Sequence, residues 1–133
     1  MANASSGGLQ RILDTCTHFN GGEVTITVDG PGMVVVSATL TFEIEHTVGN
    51  QDFLEAYIGQ SDSDCTRDDH MLSQGVDAAE PTQTFISTVY LHKPFAVAGA
   101  GTYTYYLNAE MAVGAFTWDN FAMVSMIAVF YPS

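Results

Sequence analysis

An acidic stretch of the chain, residues 59–80, holds the side chains best suited to bind a cation. Carboxylates recur there among small polar residues, which places oxygen ligands at the spacing of the first half of a Ca²⁺-binding loop. The second half departs from that pattern, because Arg67 stands where an EF-hand needs Gly and Ser73 where it needs a bidentate Glu. The candidate calcium ligands are Asp62, Asp64, Asp68 and Asp69. A solvated acidic loop and an intermolecular contact surface are the alternatives.

Aromatic side chains in the C-terminal third offer a second kind of site, since flat rings stack on the apolar faces of sugars. Trp118 falls in a predicted loop and Tyr103 in a predicted strand, and both are candidate ligand contacts. The wider aromatic set adds Tyr105, Tyr106, Phe116 and Phe121. A place in the core or in an interface is the commoner role of strand aromatics and remains the alternative.

Residues that would indicate catalysis are poorly represented. The sequence has no HExxH motif, no GxSxG elbow and no cysteine spacing typical of zinc sites. Glu43 and Glu45 resemble a glycosidase pair only in being carboxylates on one strand face, where solvation is their expected role. His46 is expected to be a hydrogen-bonded residue at the edge of the core. We therefore predict a protein that is not an enzyme and, apart from the candidate calcium loop, carries no cofactor.

The chain is strongly acidic, with 15 Asp and Glu residues against 3 Lys and Arg residues and a formal net charge of −12. This charge repels phosphate backbones and anionic lipid headgroups. The apolar C-terminal stretch, residues 121–131, is too short to cross a bilayer as a helix. The sequence therefore argues against nucleic-acid partners and membrane insertion.

Two features bear on where the protein works. Cys16 and Cys65 are the only cysteines, and either one disulfide between them or two buried thiols fits this count. A disulfide is expected outside the reducing cytoplasm. The N-terminal residues lack a basic region followed by an apolar run, which suits a virion protein released by lysis or a chain whose leader has been removed. We expect an extracellular or virion-surface protein.

Period-2 alternation of apolar and polar residues predicts an all-β protein. The clearest case is 33–45, where Val34, Leu40 and Ile44 belong to the apolar face and the two glutamates to the other. A turn at 47–51 predicts that this strand and 53–58 form a hairpin. Pro94 is expected to end one strand before a short edge strand. The other predicted strands are 23–28, 84–91, 102–111 and 121–131.

These strands, with no convincing helix, indicate a two-sheet antiparallel sandwich of the jelly-roll type. We assign residues 1–20 to an N-terminal arm with at most one short turn near 9–13, and residues 21–133 to the jelly-roll domain. A neighbouring subunit or pairing of Cys16 is expected to hold this arm in place.

The last strand, 121–131, is apolar at both odd and even positions, so both of its faces need cover. A strand with one wet face would alternate instead. We predict a central strand with one face in the core and the other covered by more of this protein or by another copy of it. The candidate interface residues are Phe121, Met123, Val124, Met126, Val129 and Tyr131. The sequence does not indicate which set of alternate residues meets the partner.

The C-terminal half resembles C1q-like domains of the C1q and tumour-necrosis-factor superfamily. Residues 98–107 read Ala-Gly-Ala-Gly-Thr-Tyr-Thr-Tyr-Tyr-Leu, and Asp-Asn-Phe at 119–121 precedes a closing strand that ends in Val-Phe-Tyr-Pro at 129–132. The Gly-Pro-Gly at 30–32, before the long strand, is similar to microbial members. The collagen stalk of the family is absent, since no Gly-X-Y repeat occurs.

The resemblance implies a ten-strand jelly roll in a compact, non-enzymatic trimer, with the last strand in the sheet nearest the threefold axis. We expect a self-assembling structural or decoration subunit of a virion or cell exterior, with other surface or capsid subunits as further partners. The alternative is a secreted C1q-like module that binds glycan or protein through its loops. The resemblance also implies Ca²⁺ near the apex in some members.

Overall fold

The computed structural model describes residues 1–114 and 118–133. These residues form nine β-strands and no helix, arranged as two antiparallel sheets packed face to face. The strands are β1 (Ala2–Ser6), β2 (Gln10–Arg11), β3 (Thr17–Val28), β4 (Gly32–His46), β5 (Asp52–Gly59), β6 (Leu72–Val76), β7 (Gln83–Val97), β8 (Gly101–Val113) and β9 (Asn120–Pro132). The predicted all-β, two-sheet sandwich is therefore confirmed.

The strands pair as a nested series. Strand β5 pairs with β6, β4 with β7, β3 with β8, and both β1 and β2 with β9, all antiparallel. Sheet A has the order β1-β9-β4-β7, with β2 also on β9, and sheet B has the order β3-β8-β5-β6. Each pair thus encloses the preceding one along the chain, as if one long hairpin were wrapped into two layers.

The core lies between the sheets and is built from the alternate residues of each strand. The apolar face predicted for β4 is confirmed, because its inward residues are at most 1% exposed. They are Val34, Val36, Ala38, Leu40, Phe42 and Ile44. A slip of one residue would expose this whole row and bury Glu43 and Glu45, so the hydrophobic effect fixes the register.

Two predictions about strand connections were wrong. Strands β4 and β5 do not form a hairpin, since β4 lies in sheet A and β5 in sheet B. The segment between them crosses from one sheet to the other. Turn-forming residues are equally compatible with a hairpin within one sheet and with a crossing between the two sheets. Pro94 does not end a strand: β7 runs through it, because β7 is an edge strand and a missing N–H on its free side costs no ladder bond.

The N-terminal segment and the acidic stretch are more ordered than expected. Residues 1–20, predicted to be an arm with one short turn, contain β1 and β2 on the edge of β9, and Ile12 is fully buried in the core. The acidic stretch 59–80 contains β6. Alternation is not visible in β1 and β2 because their side chains are small or polar, and β6 has an apolar side chain only at each end. Backbone pairing with β9 or β5 holds these three strands instead.

Candidate self-association face

The outer side of sheet A, here called the A face, ends in a group of exposed apolar side chains. On β9, Ile127, Val129 and Tyr131 point outward because the residues that alternate with them face the core. Ile127 is 42% exposed and Tyr131 is 57% exposed. The side of the last strand that needs cover is therefore its odd-numbered side.

Cross-strand pairing gathers these side chains with apolar neighbours on the same face. Met33 on β4 lies opposite Tyr131, and Val35 lies opposite Val129. On the next strand, β7, the exposed Tyr90 adds an aromatic ring. The apolar end of the A face comprises Met33, Val35, Tyr90, Ile127, Val129 and Tyr131. The two opposite pairs, Met33 with Tyr131 and Val35 with Val129, stand about 5 Å apart across the strands. Tyr90 and Ile127 line one depression together with Ser37, which extends the surface along the strands.

This surface carries no formal charge. From Met33 to Thr41, the outward side chains of β4 and those paired with them on the described strands of sheet A include no Asp, Glu, Lys or Arg. The acidic residues of this face, Glu43 and Glu45, lie at its other end. A chain with a net charge of −12 thus keeps this apolar surface free of charged side chains.

The structure separates the six predicted interface residues into two sets. Met123, Val129 and Tyr131 lie on the outside, but Phe121, Val124 and Met126 are at most 1% exposed in the core. These three cannot reach a partner while the sandwich is intact, which corrects their assignment. A bulge explains the change of side: Met123 has a positive φ of 51°, and the β4–β9 register shifts there. Ile127, which was not among the six, belongs to the exposed set.

The outer side of sheet B, the B face, is partly covered by the chain itself. The segment 60–71 folds back over it, and a disulfide between Cys16 and Cys65 holds this cover. The side-chain amide of Asn108 on β8 donates to the backbone oxygens of Ser61 and Asp64, at 3.0 and 2.9 Å. Of the two alternatives open from the sequence, the structure contains the disulfide.

The candidate calcium ligands lie in this cover. Asp64 Oδ1 accepts a hydrogen bond of 2.6 Å from the Thr66 hydroxyl, and Asp68 Oδ2 accepts one of 2.5 Å from the Lys93 ammonium. Asp62 and Asp69 are exposed to solvent. Two of the four carboxylates therefore serve as acceptors within the loop or between the loop and β7.

The hydrogen bonds of these two aspartates affect their ionisation. The Thr66 hydroxyl, together with two backbone amides, lowers the pKa of Asp64 below its ordinary value although burial opposes the shift. Burial likewise acts to raise the pKa of Asp68, but hydrogen bonds from Lys93 and the His70 amide outweigh it and lower this pKa overall. Both groups are anionic at neutral pH and stabilise the loop in that form.

A buried polar cluster lies beneath the same cover. Glu55 on β5 and Glu110 on β8 are cross-strand neighbours, and the hydroxyl of Tyr57 contacts both carboxylates, that of Glu110 at 2.8 Å. Arg67 from the covering segment lies 3.1 Å from Glu55. Burial, followed by the two carboxylates, raises the pKa of Tyr57 well above its ordinary value. The hydroxyl therefore stays protonated and acts as a donor. No local sequence pattern indicates this cluster, because the β5–β8 register brings its residues together.

The two candidate ligand contacts are far apart. Tyr103 lies near the start of β8, half-buried, with its hydroxyl donating to the Gly99 oxygen at 2.9 Å. Trp118 follows the end of the same strand and is 67% exposed. Since β8 spans 13 residues, the two rings stand at opposite ends of the sandwich. Phe116, from the wider aromatic set, lies outside the described residues.

His46 is a buried structural group, as the sequence predicted for a hydrogen-bonded residue at the core edge. Its Nδ1 lies 2.5 Å from Asp52 Oδ2, and its Nε2 lies 3.0 Å from the backbone oxygen of Glu80. The hydrogen bond to Asp52 raises the pKa of His46, against the opposing effect of burial. His46 is the last residue of β4 and Asp52 the first of β5, so the pair joins a strand of sheet A to a strand of sheet B.

Within residues 1–114 and 118–133, no group of three or more His, Cys, Asp and Glu side chains is placed to hold a metal ion. Nor does this part of the chain contain a helix with the length and apolar character of a membrane span. The sequence matches no protein-family model and has no significant match among curated proteins.

Proposed function

We propose that the protein is a non-enzymatic structural subunit that assembles with further copies of itself through the apolar end of the A face. The observation that carries the proposal is the exposure of this uncharged apolar surface, which includes Ile127 and Tyr131, on a chain of net charge −12. Acidic surfaces of two copies repel each other, so the copies approach most easily where charge is absent. Contact there also removes apolar surface from water.

The strand order supports a jelly roll of the C1q and tumour-necrosis-factor type. Nested antiparallel pairs distributed over two sheets are what a jelly roll requires. In C1q-like domains the last strand lies in the sheet nearest the threefold axis. Here the outer side of β9, the last strand, contributes three of the six residues of the apolar end. We infer a trimer. The disulfide suits a virion or cell exterior, where other surface or capsid subunits are further partners.

Size-exclusion chromatography with light scattering tests this function. The wild-type chain is expected to have the mass of three chains. Ile127→Lys and Val129→Lys are each expected to give monomers, because a partner would bury the new ammonium without a counter-charge. Thr27→Lys is the matched control: it adds the same charge to an exposed strand position on the B face and is expected to leave the mass unchanged.

Two results would overturn the assembly function. A wild-type chain that is monomeric at every concentration would remove it. Dissociation by Thr27→Lys to the same extent as by Ile127→Lys would show that overall charge, rather than the apolar end, controls association.

A second function, glycan or protein binding through the loops, is favoured by one observation, the 67% exposure of Trp118. An exposed indole is suited to stack on a sugar ring. Glycan-array binding by the wild-type chain that disappears in Trp118→Ala, with the oligomeric mass retained, would support it. Binding that survives the substitution would exclude Trp118 as the contact.

A further inference from the structure

The edge strand β7 is protected over one half only. It pairs with β4 on one side, and no described strand pairs with its other side. In the half from His92 to Val97, Pro94 lacks an N–H, and Lys93 places its ammonium 2.5 Å from Asp68 of the segment 60–71 and 5.2 Å from the centre of the Phe95 ring. Proline, an inward charge and a covering loop are devices that keep a strand edge from pairing.

The other half of β7, residues 83–91, has none of these devices. It reads Gln-Thr-Phe-Ile-Ser-Thr-Val-Tyr-Leu, which contains no proline and no charged residue and is rich in β-branched and aromatic residues. At about 3.3 Å per residue, nine residues present roughly 30 Å of unpaired backbone. An edge of this length and composition is a template for another strand.

A cleft of about 420 Å³ runs beside this open edge, between the two sheets. It exists because β6 has 5 residues and β7 has 15, so sheet B ends before it covers the inner side of β7. Phe42, Ile44 and Phe85 form its apolar floor, and Asp77 and Glu80 lie on its rim. No Lys or Arg lines it. The hydrogen bond from His46 to the backbone of Glu80 fixes this rim.

We propose that the open edge of β7 binds an extended peptide segment that carries apolar side chains at alternate positions and a basic residue at one end. Such a segment would add as a strand to β7, satisfying the free backbone groups. Its alternate side chains would enter the cleft beside Phe85 and Ser87. The basic residue would lie near Asp77 and Glu80, where the charge of the rim is uncompensated by any cation in the cleft lining.

An extended peptide with a basic end fits both the open edge of β7 and the cleft. Two other kinds of partner would each satisfy only one of these two features. A small apolar amine would fill the cleft but leave the backbone of β7 unpaired. The β7 strand of a second copy would pair with the backbone but bring no basic residue to the rim, since Lys93 is held by Asp68.

Nuclear magnetic resonance of the full-length, isotope-labelled chain with a defined probe tests the proposal. The probe is acetyl-Lys-Val-Thr-Val-Thr-Val-Thr-amide at low salt. We expect chemical-shift changes in residues 83–91 and 74–77, and slower hydrogen exchange of the β7 amides that face the open edge. Of two probes N-methylated on opposite backbone edges, one is expected to lose binding and the other to retain it, because only one edge pairs with β7.

Charge variants test the basic residue. Replacing Lys by Gln in the probe is expected to weaken binding about fivefold, the effect of losing two partly exposed ion pairs. The double variant Asp77→Asn with Glu80→Gln is expected to weaken binding of the Lys probe by the same factor. The control is Asp29→Asn with Asp62→Asn, which changes the net charge equally at distant sites. This control is expected to change binding less than about twofold.

The outcomes that would overturn the proposal are distinct. No shift in residues 83–91 at about 1 mM probe would exclude binding of useful strength. Equal binding of both N-methylated probes would exclude strand addition. Shifts in the same residues that appear when the chain is concentrated without the probe would assign the edge to a second copy. None of these results depends on the A face.

Discussion

The outer faces of the two sheets are covered in different ways. On the B face, threonines pair across strands, as Thr25 does with Thr104, and the segment 60–71 lies over buried carboxylates and is held by a disulfide. The apolar end of the A face has no such cover within the described residues, and its aliphatic and aromatic side chains meet solvent. The chain therefore supplies part of the cover of the B face, whereas the proposed assembly would cover the apolar end of the A face.

The largest effect is expected from a pair of adjacent substitutions in β9 that test the inner and outer sides of sheet A. Met126→Lys places an ammonium in the core, where Met126 is fully buried, and is expected to destabilise the chain by more than about 4 kcal/mol. Ile127→Lys, one residue on, is expected to keep a cooperative unfolding transition and lose assembly. Circular dichroism during urea unfolding measures both, and equal destabilisation by both would contradict the assignment of the two sides.

The pattern of β9 shows what sequence can and cannot predict. Alternation predicted the inward row of β4 because most of its outward row, from Ser37 to Glu45, is polar. In β9 both rows are apolar, so the pattern predicted two buried faces without saying which one is the core. The bulge at Met123 changes the side of Phe121, and it lies where the β4–β9 register shifts. The side that each β9 residue takes therefore depends on the pairing of β9 with β4, which the pattern of β9 alone does not show.

The B face was less predictable than the A face, since it depends on contacts between distant segments. The count of two cysteines allowed a disulfide but did not require one. The cluster of Glu55, Tyr57 and Glu110 requires the β5–β8 register, which no local pattern specifies. The acidic stretch was read as ligands for a cation because oxygen spacing is local, whereas the contact of Asp68 with Lys93 is not.

The second largest effect is expected on the B face. Cys16→Ala with Cys65→Ala opens a link between residues 49 apart in sequence, which corresponds to about 4 kcal/mol of stability in the chain-entropy model. Unfolding by urea is expected to shift by this amount, while light scattering below the transition shows the wild-type mass. Loss of assembly in folded protein would mean that the B-face cover also supports the A face.

Tyr57→Phe is a smaller change at the same cover. It removes the hydroxyl that donates to Glu55 and Glu110 and leaves two partly buried carboxylates with one donor fewer. The free energy of unfolding is expected to fall by about 2 kcal/mol, as for hydrogen bonds to charged groups. The control is Tyr106→Phe, because the Tyr106 side chain is only half-buried. This substitution is expected to lower the free energy of unfolding by less. Equal losses of unfolding free energy in the two variants would show that the hydrogen bonds within the cluster add no stability of their own.

The pair of His46 and Asp52 joins both sheets, so its protonation is expected to affect both faces alike. Since the hydrogen bond to Asp52 raises the folded-state pKa of His46 above 6.5, its contribution is complete below that pH and is lost as pH rises through the folded-state pKa. The urea midpoint is therefore expected to fall as pH rises above about 6.5 and through the raised pKa of His46. Asp52→Asn is expected to flatten this dependence, and an unchanged slope in that variant would exclude the pair as its source.

The smallest effect is expected from calcium, which would act on the B-face cover alone. Asp64 and Asp68 already accept hydrogen bonds from Thr66 and Lys93, so binding of Ca²⁺ would first have to break them. A ligand present at 100 times its Kd adds about 2.7 kcal/mol, which would raise the Tm of a domain of this size by roughly 10 °C. We expect no such rise in millimolar CaCl₂. A rise that a chelator reverses would show that the four aspartates rearrange into a site, and that a bound cation also stabilises the cover of the B face.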